Sequence, residues 1–219
     1  MSKREILVSV DIEKAGPYLE QNPVISVGFC VGNTEGKVLE QKRFNIKINW
    51  PGEYTSLFHS IINTISNFFY PRNFDEECWT SFWSKLPTNV IEDCKKNAKD
   101  EETTWIEIAL YLDELENKYP EDTHKIKFLT DNASFDIGNI DYYLEQYTGR
   151  KPMRYSKSGK YRSIIGSDDM FSMIPERIRK EYSDKIDSKV KHDHNPVNDA
   201  HHIYLQYVYA REYANKKSE

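Results

Sequence analysis

The chain opens with an apolar run that breaks off into acid: Ile6 to Val10 is followed at once by Asp11, Ile12 and Glu13. A short β-branched run bounded by charge reads as a buried strand. Two carboxylates two positions apart on it leave the same face, about 6.6 Å apart along the strand. A second run, Pro23 to Val31, leads through the turn tract Gly32-Asn-Thr-Glu-Gly36 into a third, Lys37 to Ile48, where Val38, Phe44, Ile46 and Ile48 partly alternate. Strands joined by so tight a turn must be antiparallel.

Further along, the period lengthens. Leu57, Phe58, Ile61, Ile62, Ile65, Phe68 and Phe69 recur at helical spacing, so a helical insertion is expected at about 49–74, either packed as core or serving as a lid or self-association face. Asp75 to Ala98 reads as helical, broken near Pro87, with Trp79, Phe82 and Trp83 as anchors. Thr103 or Thr104 is expected to cap the next helix, with Glu107 closing a capping box after Thr104, and Pro120 stops it. Lys125 to Thr130 is a strand. From Asp136 the pattern is helical, with Ile137, Ile140, Leu144 and Tyr147 inward and Gly149 at the end. Tyr161 to Ile165 is a last strand, Asp168 to Ile174 a short helix, and the final helix runs from about Val197 to Asn215.

The 219 residues suit a single domain, because one site would have to collect acids spread from Asp11 to Asp199. No apolar run approaches the roughly 20 residues that span a bilayer, and the N-terminal apolar stretch is too short for a signal peptide. Three cysteines without a CxxC pair argue against a disulfide framework and for a reducing, intracellular or cytoplasmic setting. A net charge of −5 excludes a protein that coats nucleic acid through a broad basic face. One basic island stands out: residues 150–162 carry Arg150, Lys151, Arg154, Lys157, Lys160 and Arg162 and no acid, which leaves −11 for the remainder.

The chemistry lies in the acids. Asp136 follows the apolar run that ends at Thr130, and Asp199 opens the final helix, five residues after His194. Both would enter from a helix start, where the positive end of the dipole favours a carboxylate. Hard divalent cations such as Mg²⁺ or Mn²⁺ take oxygen ligands, one or two carboxylates each. Two such ions held about 3.5 to 4 Å apart suit phosphodiester hydrolysis. An imidazole near its ordinary pKa accepts a proton around neutral pH.

These residues also carry a resemblance. Asp11-Ile-Glu13 after a first strand, Asn132-Ala-Ser-Phe-Asp136 at a strand-to-helix turn, and His194 through Asp199-Ala200 resemble the three exonuclease motifs of the DEDDh family. These are the DnaQ-like, epsilon-subunit-like 3′–5′ exonucleases of the RNase H-like superfamily. The resemblance covers roughly residues 6 to 210. The Trp-containing segment around Trp79 and Trp83 is similar to segments in the exoribonuclease-type and large-DNA-virus exonuclease branch.

The resemblance implies an α/β, RNase H-like fold: a central mixed five-stranded sheet, an antiparallel meander followed by parallel strands, flanked by helices. It implies two divalent ions, Mg²⁺ or Mn²⁺, held by Asp11, Glu13, Asp136 and Asp199, with Asp11 bridging. It makes His194 the general base, because His192 would place Val197 rather than an acid five residues on. The implied activity is metal-dependent 3′–5′ exonucleolytic hydrolysis of single-stranded RNA or DNA ends, releasing nucleoside 5′-monophosphates. One departure is Lys14-Ala15 after the first motif, where the family often has Thr or a small residue; this weakens any terminal-nucleotide contact from that stretch.

Other readings stay open. Asn132 and Ser134 either touch substrate or only make the turn. The island either holds strand phosphates, through Lys157, Lys160 and Arg162 with Tyr155 and Tyr161 as stacking faces, or is a solvated loop. His192, His194, His201 and His202 offer a zinc site as a weaker alternative. An RNase H-like endonuclease, a non-catalytic nucleic-acid-binding module on the same scaffold, and a self-associating homo-oligomer through Leu57 to Phe69 are the competing functions.

Overall fold

The structure, a computed structural model, describes residues 3–51 and 73–218. Most of the helix expected at about 49–74, and with it the Leu57 to Phe69 face, lies outside these residues; the described ends, 49–51 and 73–74, are not helical.

Strands β1 (Arg4–Lys14), β2 (Val24–Asn33) and β3 (Val38–Asn45) form the antiparallel meander. Helices α1 (Glu76–Ser81), α2 (Thr88–Lys95) and α3 (Glu101–Lys118) follow, with a single 3₁₀ turn, Trp83–Lys85, between the first two. Then come β4 (His124–Thr130), α4 (Asp136–Thr148), β5 (Ser163–Gly166), α5 (Ser167–Ser172), α6 (Glu176–Asp187) and α7 (Pro196–Ser218). The sheet order is β3-β2-β1-β4-β5, and β4 and β5 run parallel to β1. This is the mixed five-stranded sheet that the sequence led us to expect.

β1 is central, and its parity sorts the molecule. Ile6, Val8, Val10 and Ile12 face a core built with Trp105, Ile108 and Leu112 of α3 and Ile137, Ile140 and Leu144 of α4. Leu7 faces the other side, with Leu129, Cys30 and the α7 residues Ala200, Ile203 and Tyr204. Side chains alternate along a strand, so Asp11 and Glu13 continue the odd-numbered face, under α7.

Glycines on β2 let α7 settle there. A Cβ at Gly28, the partner of Asp11 in the ladder, would collide with the backbone of Pro196. One at Gly32 would collide with the Tyr204 ring, whose hydroxyl donates to the Asn33 carbonyl at 2.7 Å. Helix and strand backbones therefore approach closely, and α7 is held down where its first turn overhangs the end of β1.

Three local expectations change. α3 starts earlier than expected: its cap is Asp100, whose carboxylate accepts from Thr103 N at 2.9 Å, while the Thr104 hydroxyl bonds back to the Asp100 carbonyl at 2.8 Å. An aspartate one turn upstream outcompetes the threonines for the free amides. The last strand is shorter than expected, beginning at Ser163. Helix α6 was not foreseen; its largely polar sequence buries only Tyr182 and Ile186.

Candidate active site

The acidic residues meet at the end of the sheet where β1 and β4 finish. Glu13 of β1, Asp199 of α7 and His194 of the α6–α7 loop bring one ligand atom each within 4.8 Å of one another. Asp11, Asp136 and Asp131 form a second such group. The five residues singled out from sequence thus fall into two adjoining trios that share β1. Asp131 is the member that the sequence reading passed over, although it follows the β4 apolar run just as Asp11 follows that of β1.

Local chain chemistry fixes each group. Asn132 folds the β4–α4 turn: its side-chain oxygen accepts from Phe135 N at 3.1 Å and from the Ser134 hydroxyl at 2.8 Å, and its carbonyl accepts from Asp136 N at 2.8 Å. The bonds of Asn132 and Ser134 are therefore those of the turn. The Thr130 hydroxyl donates to Asp136 Oδ2 and accepts from Asn132 N at 3.2 Å. On the other side, Asn195 Oδ1 accepts from Val197 N at 3.2 Å, capping α7 ahead of Pro196. Asp193 accepts from Asn195 N and from the Asn198 amide, and its own N–H donates to Asp199 Oδ1 at 3.2 Å. His192 Nε2 lies 3.8 Å from Asp199 Oδ2.

The electrostatics are those of buried carboxylates crowded together. Burial, then Glu13, Asp136, Asp199 and Asp131, hold the Asp11 carboxyl far above the ordinary range. Burial and then Asp199 do the same to Glu13, opposed by Arg43. Burial pushes Asp136 up to about 8 and Asp199 up to about 6. Asp11 Oδ2 is sealed from solvent and has no hydrogen-bond partner among the described residues. Crowded, desolvated carboxylates resist ionisation, and a bound cation reverses that preference. Carboxylate oxygens with one imidazole, an orphaned buried oxygen and mutually repelling carboxyl groups fit hard divalent cations.

His194 has its pKa lowered, by burial first and then by His192, which keeps the imidazole neutral near pH 7. Of the four histidines weighed as a zinc site, only His194 joins a metal-competent group among the described residues.

The basic island lies elsewhere. It enters β5 beside the early part of β4, whereas Asp131 and Asp136 follow the strand's far end. Arg150 and Lys157 pair with Asp113, Arg162 with Glu116, Lys160 with Glu121, Lys151 with Glu145 and Arg154 with Asp141. Tyr155 and Tyr161 bridge each other at the loop's base, ring centroids 5.8 Å apart. Neither tyrosine, and none of Lys157, Lys160 and Arg162, is brought to the acidic cluster.

No known family profile matches the chain, and neither does any curated protein. Solved structures do. The chain superposes on E. coli exonuclease I in complex with a dT13 oligonucleotide with a TM-score of 0.58 at 12% identity, covering 98% of this chain and 43% of that one. A zinc-ion-bound complex of the same E. coli enzyme with single-stranded DNA gives 0.56 at 13% identity, covering 99% and 42%. A full-length 3′-exonuclease gives 0.54 at 13% identity, covering 98% and 84%. The fold is one that 3′-exonucleases share. At this identity the likeness is one of RNase H-like architecture, and the chain spans less than half the length of the exonuclease I chains it matches. No helix among the described residues is long and apolar enough to cross a membrane.

Proposed function

We propose that the chain is a metal-dependent 3′–5′ exonuclease of the DEDDh type acting on single-stranded ends of RNA or DNA. The observation that carries the reading is the convergence of Asp11, Glu13, Asp136, Asp199 and His194, from three separate stretches of chain, on one end of the sheet. The fold shared with 3′-exonucleases, one of them, E. coli exonuclease I, in complex with single-stranded DNA, supports it. In this reading Asp11, Glu13, Asp136 and Asp199 would hold two Mg²⁺ or Mn²⁺ ions, with Asp131 as a further candidate ligand. Such ions supply charge neutralisation and polarisation at the phosphate under attack. His194, neutral near pH 7, accepts the proton of the attacking water.

The test uses end-labelled single-stranded oligonucleotides, ribose and deoxyribose in parallel. Mg²⁺ or Mn²⁺ should yield a ladder shortening from the 3′ end, chelator should stop it, and Asp11→Ala should abolish it. Internal cuts in a circular single strand would make the protein an endonuclease instead. Tight binding without turnover under every divalent ion would leave a binding module.

A further inference from the structure

We infer that Phe82 is a positioning residue that sets the ring orientation of His194. The inference rests on the exonuclease reading above, in which His194 takes the proton. His194 sits at φ 60, in the left-handed region that few non-glycine residues adopt, although histidine does so more readily than most. Histidines that move protons are usually oriented by a hydrogen bond to one ring nitrogen. Among the described residues no hydrogen bond does this for His194. Its imidazole instead meets the Phe82 ring at right angles, centroids 4.8 Å apart and planes at 90°, while the His192 ring stands off at 5.7 Å. Edge-to-face geometry at this distance is the favoured arrangement of aromatic pairs and resists rotation of either ring.

Phe82 is itself tied to the strand end that carries the carboxylates. Its amide closes α1 on the Cys78 carbonyl at 3.2 Å, and its ring packs edge-on against Trp83, centroids 5.5 Å apart. Trp83 is fully buried, and its indole N–H donates to the Lys14 carbonyl at 3.0 Å, one residue after Glu13. Asp75, which caps α1, donates its own N–H to the Ala15 carbonyl at 2.8 Å. The end of β1, Phe82 and His194 therefore form one connected unit, and among the described residues the Phe82 ring is where the segment after α1 meets His194.

Phe82→Leu keeps apolar bulk and removes the ring; Phe82→Tyr keeps the ring. With a single-stranded oligonucleotide and Mg²⁺, Phe82→Leu should lower kcat by about tenfold or more, as small misplacements of reacting groups do, with KM little changed. Phe82→Tyr should restore kcat. In a His194→Ala background Phe82→Leu should have almost no further effect, since coupled residues are not additive. The His194 ring-proton resonances should lose their ring-current displacement in Phe82→Leu and keep it in Phe82→Tyr. An active wild type whose Phe82→Leu variant retains full kcat overturns the inference alone. So does a loss that persists undiminished beside His194→Ala, which would mean that Phe82 touches substrate. A wild type inert with every divalent ion overturns the exonuclease reading and this inference with it.

Discussion

Asp11 carries a side-chain oxygen that no donor reaches among the described residues, and burial pushes the Asp136 carboxyl up to about 8. Nothing in packing alone favours such groups, because a buried, unneutralised charge is destabilising. Removing one should therefore help the metal-free protein. We expect Asp11→Asn to raise chelator-treated stability by about 1 kcal/mol in urea unfolding. The ion-dependent gain should move the other way: at a hundredfold excess over Kd, Mg²⁺ should stabilise the wild type by about 2.7 kcal/mol, and Asp11→Asn should lose most of that. Equal responses of the two proteins to Mg²⁺ would count against Asp11 as a ligand. Residues of this kind are legible in a sequence, since an acid ending an apolar run violates the pattern around it. Asp131 was harder to see: it stands among exposed turn residues, where an acid is ordinary, and only the register of β4 against β1 brings it beside Asp11.

At the level of elements, α7 and β2 decide whether the two trios adjoin. Gly28 lies between Asp11 in the ladder and Pro196 above it. Gly28→Ala should lift the first turn of α7 with Asp199, costing about 1–3 kcal/mol of stability and most of the activity. Gly138→Ala, in α4 with open space around the added methyl, is the control and should gain up to about 1 kcal/mol. Chemical unfolding and nuclease assays on both would check this; a Gly28→Ala protein with full activity would show that α7 need not sit so close.

The island 150–162 is the second element with a consequence. Arg150 grips Asp113 of α3 at 2.6 and 3.0 Å, and the hydrogen bond from Arg150 holds the Asp113 carboxyl below its usual range. A depressed folded-state pKa means that the stabilisation is present above the unfolded value of about 3.9 and fades as pH falls through the folded one. Asp113→Ala should cost about 1 kcal/mol at pH 7, and the gap to wild type should close progressively below about pH 4. A pH-independent gap would point to packing instead.

For the molecule as a whole, the net charge of −5 and the local pairing of every cation in 150–162 leave little of the island free for a nucleic-acid backbone. Lys160→Ala should accordingly leave KM for a single-stranded oligonucleotide unchanged; a clear rise would restore the island to the substrate path. Here sequence alone could not choose, because a run of six cations looks the same whether its partners are phosphates or the acids Asp113, Glu116 and Glu121 of a distant stretch. The central sheet was legible for the opposite reason. The β1 run, the tight β2–β3 turn and the Gly149 stop are local signals, and tertiary packing did not override them. Helix α6 escaped notice because it buries only Tyr182 and Ile186 among twelve mostly polar residues. The most direct test of the account is anomalous diffraction from crystals grown with Mn²⁺. It predicts two peaks enclosed by Asp11, Glu13, Asp136 and Asp199, and a folded protein that binds no Mn²⁺ among those side chains would contradict it.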